Sequence, residues 1–458
     1  MLYTHDDDVI VAQCTPSGPG ALALIRISGI DAVSVADQFC LLASGKKIKD
    51  CTTHTIHFAR AYNASGDIID QVMVTLMREP KTFTGQDTVE ITSHNNQFIV
   101  EELLERAISA GARMAQPGEF TRRAVLNDKM DLLQAEALNE LIHANTQQVA
   151  RQALCQLEGS FSSWIGSIEH ELLRASAFCY ASFEFIDEEM AFDEQIRHTL
   201  ETILTIIATI KRTFSIQQHI RQGVRIALIG SVNAGKSSLF NTLIGAQRAI
   251  VSPQAGTTRD TIEAGLYRNG AYWTLIDTAG LRQTDDSIEQ EGIKRSHAQA
   301  DMADIVMLVI DSSRVLTPAE LEQCHILYER YKTKALVVYT KSDMPRVSNA
   351  FECADQPITL SNVTHESLDI LEAKLSIKIE QLLAQAASPY LVNQRQYHLL
   401  LGLEQQLHTI EQQLITPIAY ELLSFHLTDA LAHISEITGK SVSENTMDAI
   451  FRQFCIGK

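Results

Sequence analysis

The stretch of this chain whose residue types and spacing most plainly promise chemistry is Gly230-Ser-Val-Asn-Ala-Gly235-Lys236-Ser237. It fits G-x-x-x-x-G-K-[ST], in which the glycines let backbone N–H groups wrap around phosphates. Lys236 then reaches the β- and γ-phosphates, and Ser237 holds a magnesium ion. The apolar run RIALIG (225–230) leads into it and SSLFNTLIG follows, so a strand and a helix are expected on either side. Asp277-Thr278-Ala279-Gly280 ends another apolar run. From there Asp277 can reach the shell of the Mg²⁺, while Gly280 offers an N–H to the γ-phosphate.

Base choice rests on what comes later. Thr340-Lys341-Ser342-Asp343 closes a further apolar run and matches N/T-K-x-D. The Asp of that element accepts two hydrogen bonds from the edge of guanine, a donor pair that adenine lacks. Ser361-Asn362 takes the place of a Ser-Ala base loop. Gly256-Thr257-Thr258-Arg259-Asp260 lies between the two phosphate motifs, where a Mg²⁺-sensing switch belongs, and Thr258 is the expected ligand. In this order and spacing the motifs predict a GTP-hydrolysing site. Leu281 stands where Ras-like proteins carry the Gln that orients the attacking water, so hydrolysis must draw on another residue or a partner. Arg259 and Arg282 fall in switch segments, where most arginines are solvated or in surface ion pairs, and are left out of the catalytic set.

The elements around these motifs follow from the pattern of apolar residues. Four buried-strand runs, RIALIG, LIDTAG (275–280), IVMLVI (305–310) and ALVVYT (335–340), alternate with helical stretches over 221–385. That alternation predicts a mostly parallel sheet with helices on both faces. Residues 1–120 have another texture. VIVAQ (9–13), ALALIRI (21–27), QVMVTLM (71–77) and TVEITS (88–93) read as strands, with turns at residues 16–20 and at Pro117-Gly118 and a helix over roughly 97–110. Residues 121–220 and 386–458 are helical, as in the run Met130 to Glu158, which holds no Pro or Gly. The economical reading is one helical domain (121–220 and 386–458) interrupted by an inserted α/β domain at 221–385, behind an α+β domain at 1–120. The acidic FEFIDEEMAFDE (183–194) reads as a solvated helix end.

Composition sets the limits. At roughly 100–200 residues per domain, 458 residues favour several domains. There are 56 acidic residues against 38 basic ones, a formal charge of −18. This excludes a chain that coats nucleic acid through a diffuse basic surface, though it permits a local patch or recruitment through a partner. No run approaches the roughly 18 apolar residues of a membrane-spanning helix. The start MLYTHDDDVI lacks the pattern of a secretion signal. Eight scattered cysteines without a CxxC pair read as reduced thiols in a cytoplasmic protein.

At this point a resemblance enters. G-x-x-N-x-G-K-S, G-T-T-R-D, D-T-A-G-L-R followed by Ile288-Glu289-Gln290-Glu291-Gly292-Ile293, and the terminal Phe454-Cys455-Ile456-Gly457-Lys458 resemble the bacterial tRNA-modification GTPase family MnmE (TrmE). So do VAQxTPxGxGAxAxIRISG near the start and PGEFTxRAxLNDKxDLxQAEA at 117–137, and the resemblance runs from residue 9 to 458. It implies an N-terminal α+β domain of the tetrahydrofolate-binding kind that also dimerises, a helical domain and an inserted Ras-like P-loop GTPase domain. It implies GTP hydrolysis coupled to addition of an aminomethyl or carboxymethylaminomethyl group at C5 of the wobble uridine of certain tRNAs. The one-carbon unit would come from a reduced folate (5,10-methylenetetrahydrofolate or a 5-formyltetrahydrofolate-type compound), with ammonium or glycine as the nitrogen donor. The implied partners are a second copy of the chain, the FAD- and NADH-dependent MnmG (GidA) protein in a heterotetramer, and tRNA, with no membrane.

Residue by residue, the resemblance implies GTP contacts at Asn233, Ala234, Gly235, Lys236, Ser237 and Ser238, and at Ser252, Pro253, Gln254, Ala255, Gly256, Thr257 and Thr258. Asp277, Thr278, Ala279 and Gly280 would follow, then Thr340, Lys341, Ser342 and Asp343, and Ser361, Asn362 and Val363. Mg²⁺ would be held by Ser237 and Thr258, and K⁺ by Asn233, Ser252, Gln254 and Thr257. The cation would supply the charge that an arginine finger otherwise brings. Glu289 would position the water in place of the missing Gln, and Cys455 would act in the modification itself. Arg26, Glu90, Lys129 and Lys458 would hold the folate, a carboxylate pairing with the pterin N–H edge and cations with the glutamyl tail. After Glu90 this chain reads Ile-Thr-Ser-His94-Asn95-Asn96 where the family is Gly-rich. Asn tolerates left-handed backbone better than most residues, so the turn is expected to survive. A regulatory GTPase of the ribosome-assembly kind, a switch without its own chemistry, is the competing reading; the insertion, the N-terminal domain and the C-I-G-K tail favour the modification enzyme.

Overall fold

The computed structural model describes residues 8–184, 193–221, 223–245, 262–277, 297–345, 347, 351, 357–385, 389–414 and 420–457. Two compact units emerge. One comprises Met1–Asn139, Leu154–Leu204 and His398–Lys458, the other Glu140–Ala153 and Thr205–Tyr397.

In the first unit, β1 (Ile10–Gln13), β2 (Leu22–Ser28), β3 (Cys40–Leu42), β4 (Thr55–Tyr62), β5 (Ile68–Met77), β6 (Thr88–His94) and β7 (Arg113–Met114) form one sheet. Its order is β3-β4-β5-β6-β2-β1-β7, antiparallel except for the β1–β7 pair. Period-two alternation sends Ala23, Ile25, Ile27, Val72, Val74, Leu76, Val89 and Ile91 into one core. The helix Gln97–Ser109 closes that core with Val100, Leu103 and Ala107. The intervening residues turn to the opposite face, so Arg26 and Glu90 lie directly across from each other in the β2–β6 register.

Behind the sheet, the helix Glu119–Leu126 is anchored by a buried carboxylate. Glu119 accepts from both terminal nitrogens of Arg113 and from Arg123, whose guanidinium also holds the Asp8 carbonyl and the Gln86 amide oxygen. Burial alone would raise the Glu119 pKa, but these cationic partners and the Gln116 N–H hold it below the usual carboxylate range. The long helix Ser160–Glu184 packs along Tyr420–Thr438, the two helical blocks of the sequence meeting in space.

The second unit is the α/β domain. β8 (Val224–Ile229), β9 (Ile262–Arg268), β10 (Ala271–Asp277), β11 (Ile305–Asp311), β12 (Ala335–Thr340) and β13 (Ile358–Thr359) are ordered β13-β12-β11-β8-β10-β9. All neighbours are parallel except β9 and β10. Every residue of β11 and β12 is buried, as expected of strands covered on both faces. The helices Lys236–Gly245, Pro318–Tyr331 and Leu368–Gln385 supply the cover.

Two elements depart from the expectation. The run Met130 to Glu158 is not continuous: helices Leu132–Ile142 and Gln147–Leu157 are separated by residues 143–146. Thr146 caps the second by accepting from the Val149 N–H, while the Asn145 carbonyl accepts from Tyr272 of β10. Strand pairing there overrides helix propensity. The strands β3, β4, β7, β9 and β13 were also absent from the sequence reading, and each is short, an edge or only weakly alternating. The acidic stretch expected to be a helix end lies mostly outside the described residues, at 185–192.

Candidate functional site

The phosphate loop leaves the C-terminal end of β8 and enters the helix at Lys236. Gly230 is at φ +146°, and a Cβ there would collide with the Val309 carbonyl of β11, so only glycine lets the strand turn over its neighbour. Asn233 and Gly235 follow with φ of +63° and +89°, bending the backbone into the concavity that points N–H groups at an anion. Lys236 is 8% exposed, and its ammonium donates to the carbonyls of Gly230 and Ser231, both at 2.8 Å. That draws the charge across the mouth of the loop, where a phosphate would compete for it. Ser237 and Ser238 are exposed on the first turn. Asp277, 2% exposed, ends β10 next to β8, with Leu228 as its register partner.

The residues expected to read the base stand on the adjoining strand ends. Thr340 is fully buried at the end of β12, and its hydroxyl donates to the Ala234 carbonyl at 2.6 Å. This assigns Thr340 a clear part: it ties the loop after β12 to the phosphate loop. Lys341 takes φ +62° and its ammonium meets Asp311 Oδ2 at 2.6 Å. Burial works to raise the Asp311 pKa, yet the Lys341 ammonium and the Ser313 hydroxyl and N–H hold that carboxyl low. Asp343 is oriented by Ser361, whose hydroxyl donates to Oδ1 at 2.6 Å. The Ser361 hydroxyl in turn accepts from the N–H groups of Val363 and Thr364, which fixes the loop that carries Asn362. Val363 itself is 78% exposed. Ser252, Pro253, Gln254, Ala255, Gly256, Thr257, Thr258, Thr278, Ala279, Gly280 and Glu289 lie outside the described residues.

A second constellation forms in the first unit. Arg26 and Glu90 pair at 2.8 Å across β2 and β6, half-buried, and the guanidinium lies 5.6 Å from the ring centres of both Phe83 and Phe120. Lys129 packs beside Gly85 on the same loop as Phe83. Here the C-terminal tail is seated. Arg26 donates to the Gly457 carbonyl at 3.4 Å, and the Cys14 thiol to the same oxygen at 3.1 Å. Gly457 is at φ +92° with its Cα hydrogens against Gln13 and Cys14, so a side chain at that position would be excluded.

Two residues earlier, the Gly118 N–H donates to the Cys455 carbonyl at 3.3 Å. A Cβ on Gly118 would strike the Phe451 carbonyl, which explains glycine at this close approach. Phe451 and Phe454 sink into a cluster with Leu132 and Ala135, and Arg122 faces Asp448 at 3.5 Å. Cys455 is left exposed between buried Phe454 and Gly457. The backbone of the tail is thus pinned while Cys455 itself stays exposed. Lys458 lies outside the described residues.

His94-Asn95-Asn96 does not use left-handed backbone. Asn96 is extended at φ −108° and caps the helix Gln97–Ser109 by accepting from the Phe98 N–H. Asn95 donates to the Gly18 carbonyl at 2.7 Å, and His94 pairs with Asp70 at 2.9 Å. The turn keeps its shape through side-chain hydrogen bonds rather than through glycine-like φ. Cys14, Phe83, Gly118 and Phe120 escaped the sequence reading; Pro117-Gly118 registered as a turn, and nothing local marks it as a seat for the chain end.

Comparison with known proteins identifies the family. The family described as GTP-binding protein TrmE N-terminus matches residues 9–129, and the MnmE helical domain matches residues 132–455. The chain is 35% identical over 463 residues to the tRNA modification GTPase MnmE of Streptococcus pneumoniae serotype 4, covering 100% of both chains. It is 35% identical over 467 residues to the protein of that name from Streptococcus thermophilus, again with 100% of both covered. The same identity holds over 463 residues with that of Chlorobium phaeobacteroides, covering 98% of this chain and 97% of the other. Similarity of this extent, with both unit architectures and both constellations in place, shows that the chain belongs to the MnmE family of tRNA modification GTPases.

Proposed function

We propose that the chain hydrolyses GTP in its α/β unit and thereby drives addition of an aminomethyl or carboxymethylaminomethyl group at C5 of the wobble uridine of certain tRNAs. The observation that carries the nucleotide half is Asp343. Its carboxylate is oriented by Ser361 at 2.6 Å, on a loop that Thr340 ties to the phosphate loop. With Oδ1 already accepting from Ser361, lone pairs remain for the N1–H and N2–H₂ of guanine. The backbone of Asn233 to Ser238 wraps the phosphates, and Lys236 exchanges its loop carbonyls for phosphate oxygens.

The donor types suit the implied ions. Hydroxyls of Ser237 and Thr258 are hard oxygen ligands for Mg²⁺, which offsets phosphate charge. Asn233, Ser252, Gln254 and Thr257, which offer side-chain oxygens, would hold K⁺. Glu289 orients the attacking water. Turnover is expected to rise strongly in K⁺ and little in Na⁺ at matched ionic strength; equal rates would remove the cation from the reading.

For the folate, Glu90 offers a carboxylate to a pterin edge, Phe83 and Phe120 offer ring faces, and Arg26, Lys129 and Lys458 offer cations for a glutamyl tail. A reduced folate supplies the one-carbon unit. Arg26 and Cys14 seat the tail at Gly457 while Cys455 stays exposed, which favours a modification enzyme over a switch without chemistry. A homodimer is supported by the sheet face opposite the core, where Leu22, Leu41, Ile56, Phe58 and Met73 are 41% to 63% exposed. The flavin-dependent MnmG partner would carry much of the tRNA grip, given a charge of −18 on this chain. The scattered thiols support a cytoplasmic site of action.

Cys455→Ser tests the chemistry. The replacement keeps size and hydrogen-bonding shape but loses an accessible thiolate. The variant is expected to fold and to hydrolyse GTP in K⁺ near the parental rate, yet to leave wobble uridine unmodified when it replaces the parent in deficient cells. Nucleoside analysis of bulk tRNA reads the result. Full modification would make Cys455 structural, and unchanged uridines in cells lacking the chain altogether would leave only the regulatory GTPase.

A further inference from the structure

The β9–β10 hairpin joins two unlike places. At one end Ile262 is the register partner of Asp277, the residue expected beside Mg²⁺. The two strands then run side by side for seven residues, about 20 Å at a strand's rise per residue, to the turn Asn269-Gly270. There a third segment adds itself to β10. The Tyr272 N–H donates to the Asn145 carbonyl at 2.8 Å and the Gln147 N–H to the Gly270 carbonyl at 2.9 Å, so Thr146 and Ala271 pair antiparallel. The Tyr267 hydroxyl reaches Asn145 Oδ1 at 3.4 Å.

The same tip has further attachments. The Asn269 amide donates to Ser376 Oγ at 2.6 Å and Arg268 pairs with Glu372 at 2.7 Å, both on the helix Leu368–Gln385. Gly223, where the chain enters the α/β domain, lies so close that a Cβ on it would stand 2.7 Å from the Tyr272 ring. The helix Gln147–Leu157 packs Val149 and Ala153 on Leu391, where the chain leaves that domain. One end of the hairpin thus carries the residue expected beside the ion, and the other meets the passages of the chain into and out of the domain. β10 is also held at a local cost. Trp273 is 1% exposed, and its indole N–H has no acceptor among the described residues. A buried donor left so is unfavourable, and a small shift of the strand is a change that can relieve it.

The strands are paired from Asp277 to Ala271 without a break in register, so a displacement at one end is carried to the other. We propose that this hairpin is a lever. It carries the nucleotide state from Asp277 to residues 145–147, and so to the helices Leu132–Ile142 and Gln147–Leu157 on either side of them. The lever rests on the guanine-nucleotide reading of the site and adds to it a route by which hydrolysis is felt in the helical block. Residues 140–153 belong to the second unit, and the remaining turns of both helices belong to the first.

Gln147 offers a clean test, because it is the first residue of its helix, directly after the cap Thr146. Proline is tolerated at that position, where the helix needs no N–H, so Gln147→Pro deletes the bond to Gly270 and spares the helix. Gln147→Ala keeps the N–H. Hydrogen–deuterium exchange of the full chain, read by mass spectrometry, compares GDP with guanylyl imidodiphosphate in Mg²⁺ and K⁺. In the parent, peptides over 145–149 and over 270–274 should change exchange rate together between the two nucleotides. The change should be roughly twofold to tenfold, the range that one backbone hydrogen bond contributes. Gln147→Ala should keep this response. Gln147→Pro should lose it at 145–149, while peptides over the phosphate loop still respond. No change at 145–149 in the parent, or a change there without one at 270–274, overturns the lever, and both readings stand even if the proline variant fails to fold. A parental response in Gln147→Pro, or its loss in Gln147→Ala, overturns it equally. A phosphate loop that responds to neither nucleotide would instead remove the nucleotide site on which the lever rests.

Discussion

Asp343→Asn is expected to lower affinity for GDP by roughly a hundredfold or more and to raise affinity for xanthosine diphosphate above it. Two hydrogen bonds to a charged acceptor are lost, each contributing about 1.5–3 kcal/mol, and the amide that replaces it cannot accept on both atoms. Xanthine carries a carbonyl where guanine carries its amino group, so the new NH₂ finds an acceptor there. The fold should tolerate the change. Ser361 reaches Asp343 through a hydroxyl, which can donate to an amide oxygen or accept from an amide nitrogen by rotating. Thr340 continues to hold the phosphate loop from the buried end of β12. Competition binding of the two diphosphates checks this, and an unaltered guanine preference would show that Asp343 does not read the base.

Glu289→Ala separates binding from chemistry. GTP affinity should stay near the parental value, because phosphates and base are held by other residues. Turnover should fall by about two decades or more, the size of a lost water-positioning or general-base contribution. The argument is one of chemistry: Leu281 follows D-T-A-G and cannot orient water, while the I-E-x-x-G-I element just beyond supplies a carboxylate. Single-turnover rates beside a direct binding constant distinguish the two effects. A variant with parental turnover would leave Glu289 without a part in hydrolysis.

The sequence by itself determined the phosphate-loop motif and the architecture around it, because those features are local. A phosphate loop needs its glycines, its lysine and its serine on consecutive residues between a strand and a helix. The strands of a parallel sheet buried on both faces must be continuous apolar runs, and IVMLVI and ALVVYT are such runs. One local signal went unread. Asn269-Gly270 joins β9 to β10 with both residues at positive φ, +49° and +78°, the hairpin turn such a pair favours.

What only the tertiary structure decided lies between residues far apart along the chain. Thr340 is the clearest case: its type departs from the commoner Asn, and only folding brings its hydroxyl to a carbonyl 106 residues away. Strand β4 is defined by its partners β3 and β5, since its own residues alternate too weakly to announce it. The tail site is extreme. Cys14 and Arg26 meet Gly457 across separations of 443 and 431 residues, and the Gly118 N–H meets the Cys455 carbonyl because a Cβ on Gly118 would strike the Phe451 carbonyl. No periodicity or spacing encodes such a meeting. It is set by where two helical blocks and a seven-stranded sheet bury their apolar faces, and that is a property of the packed chain.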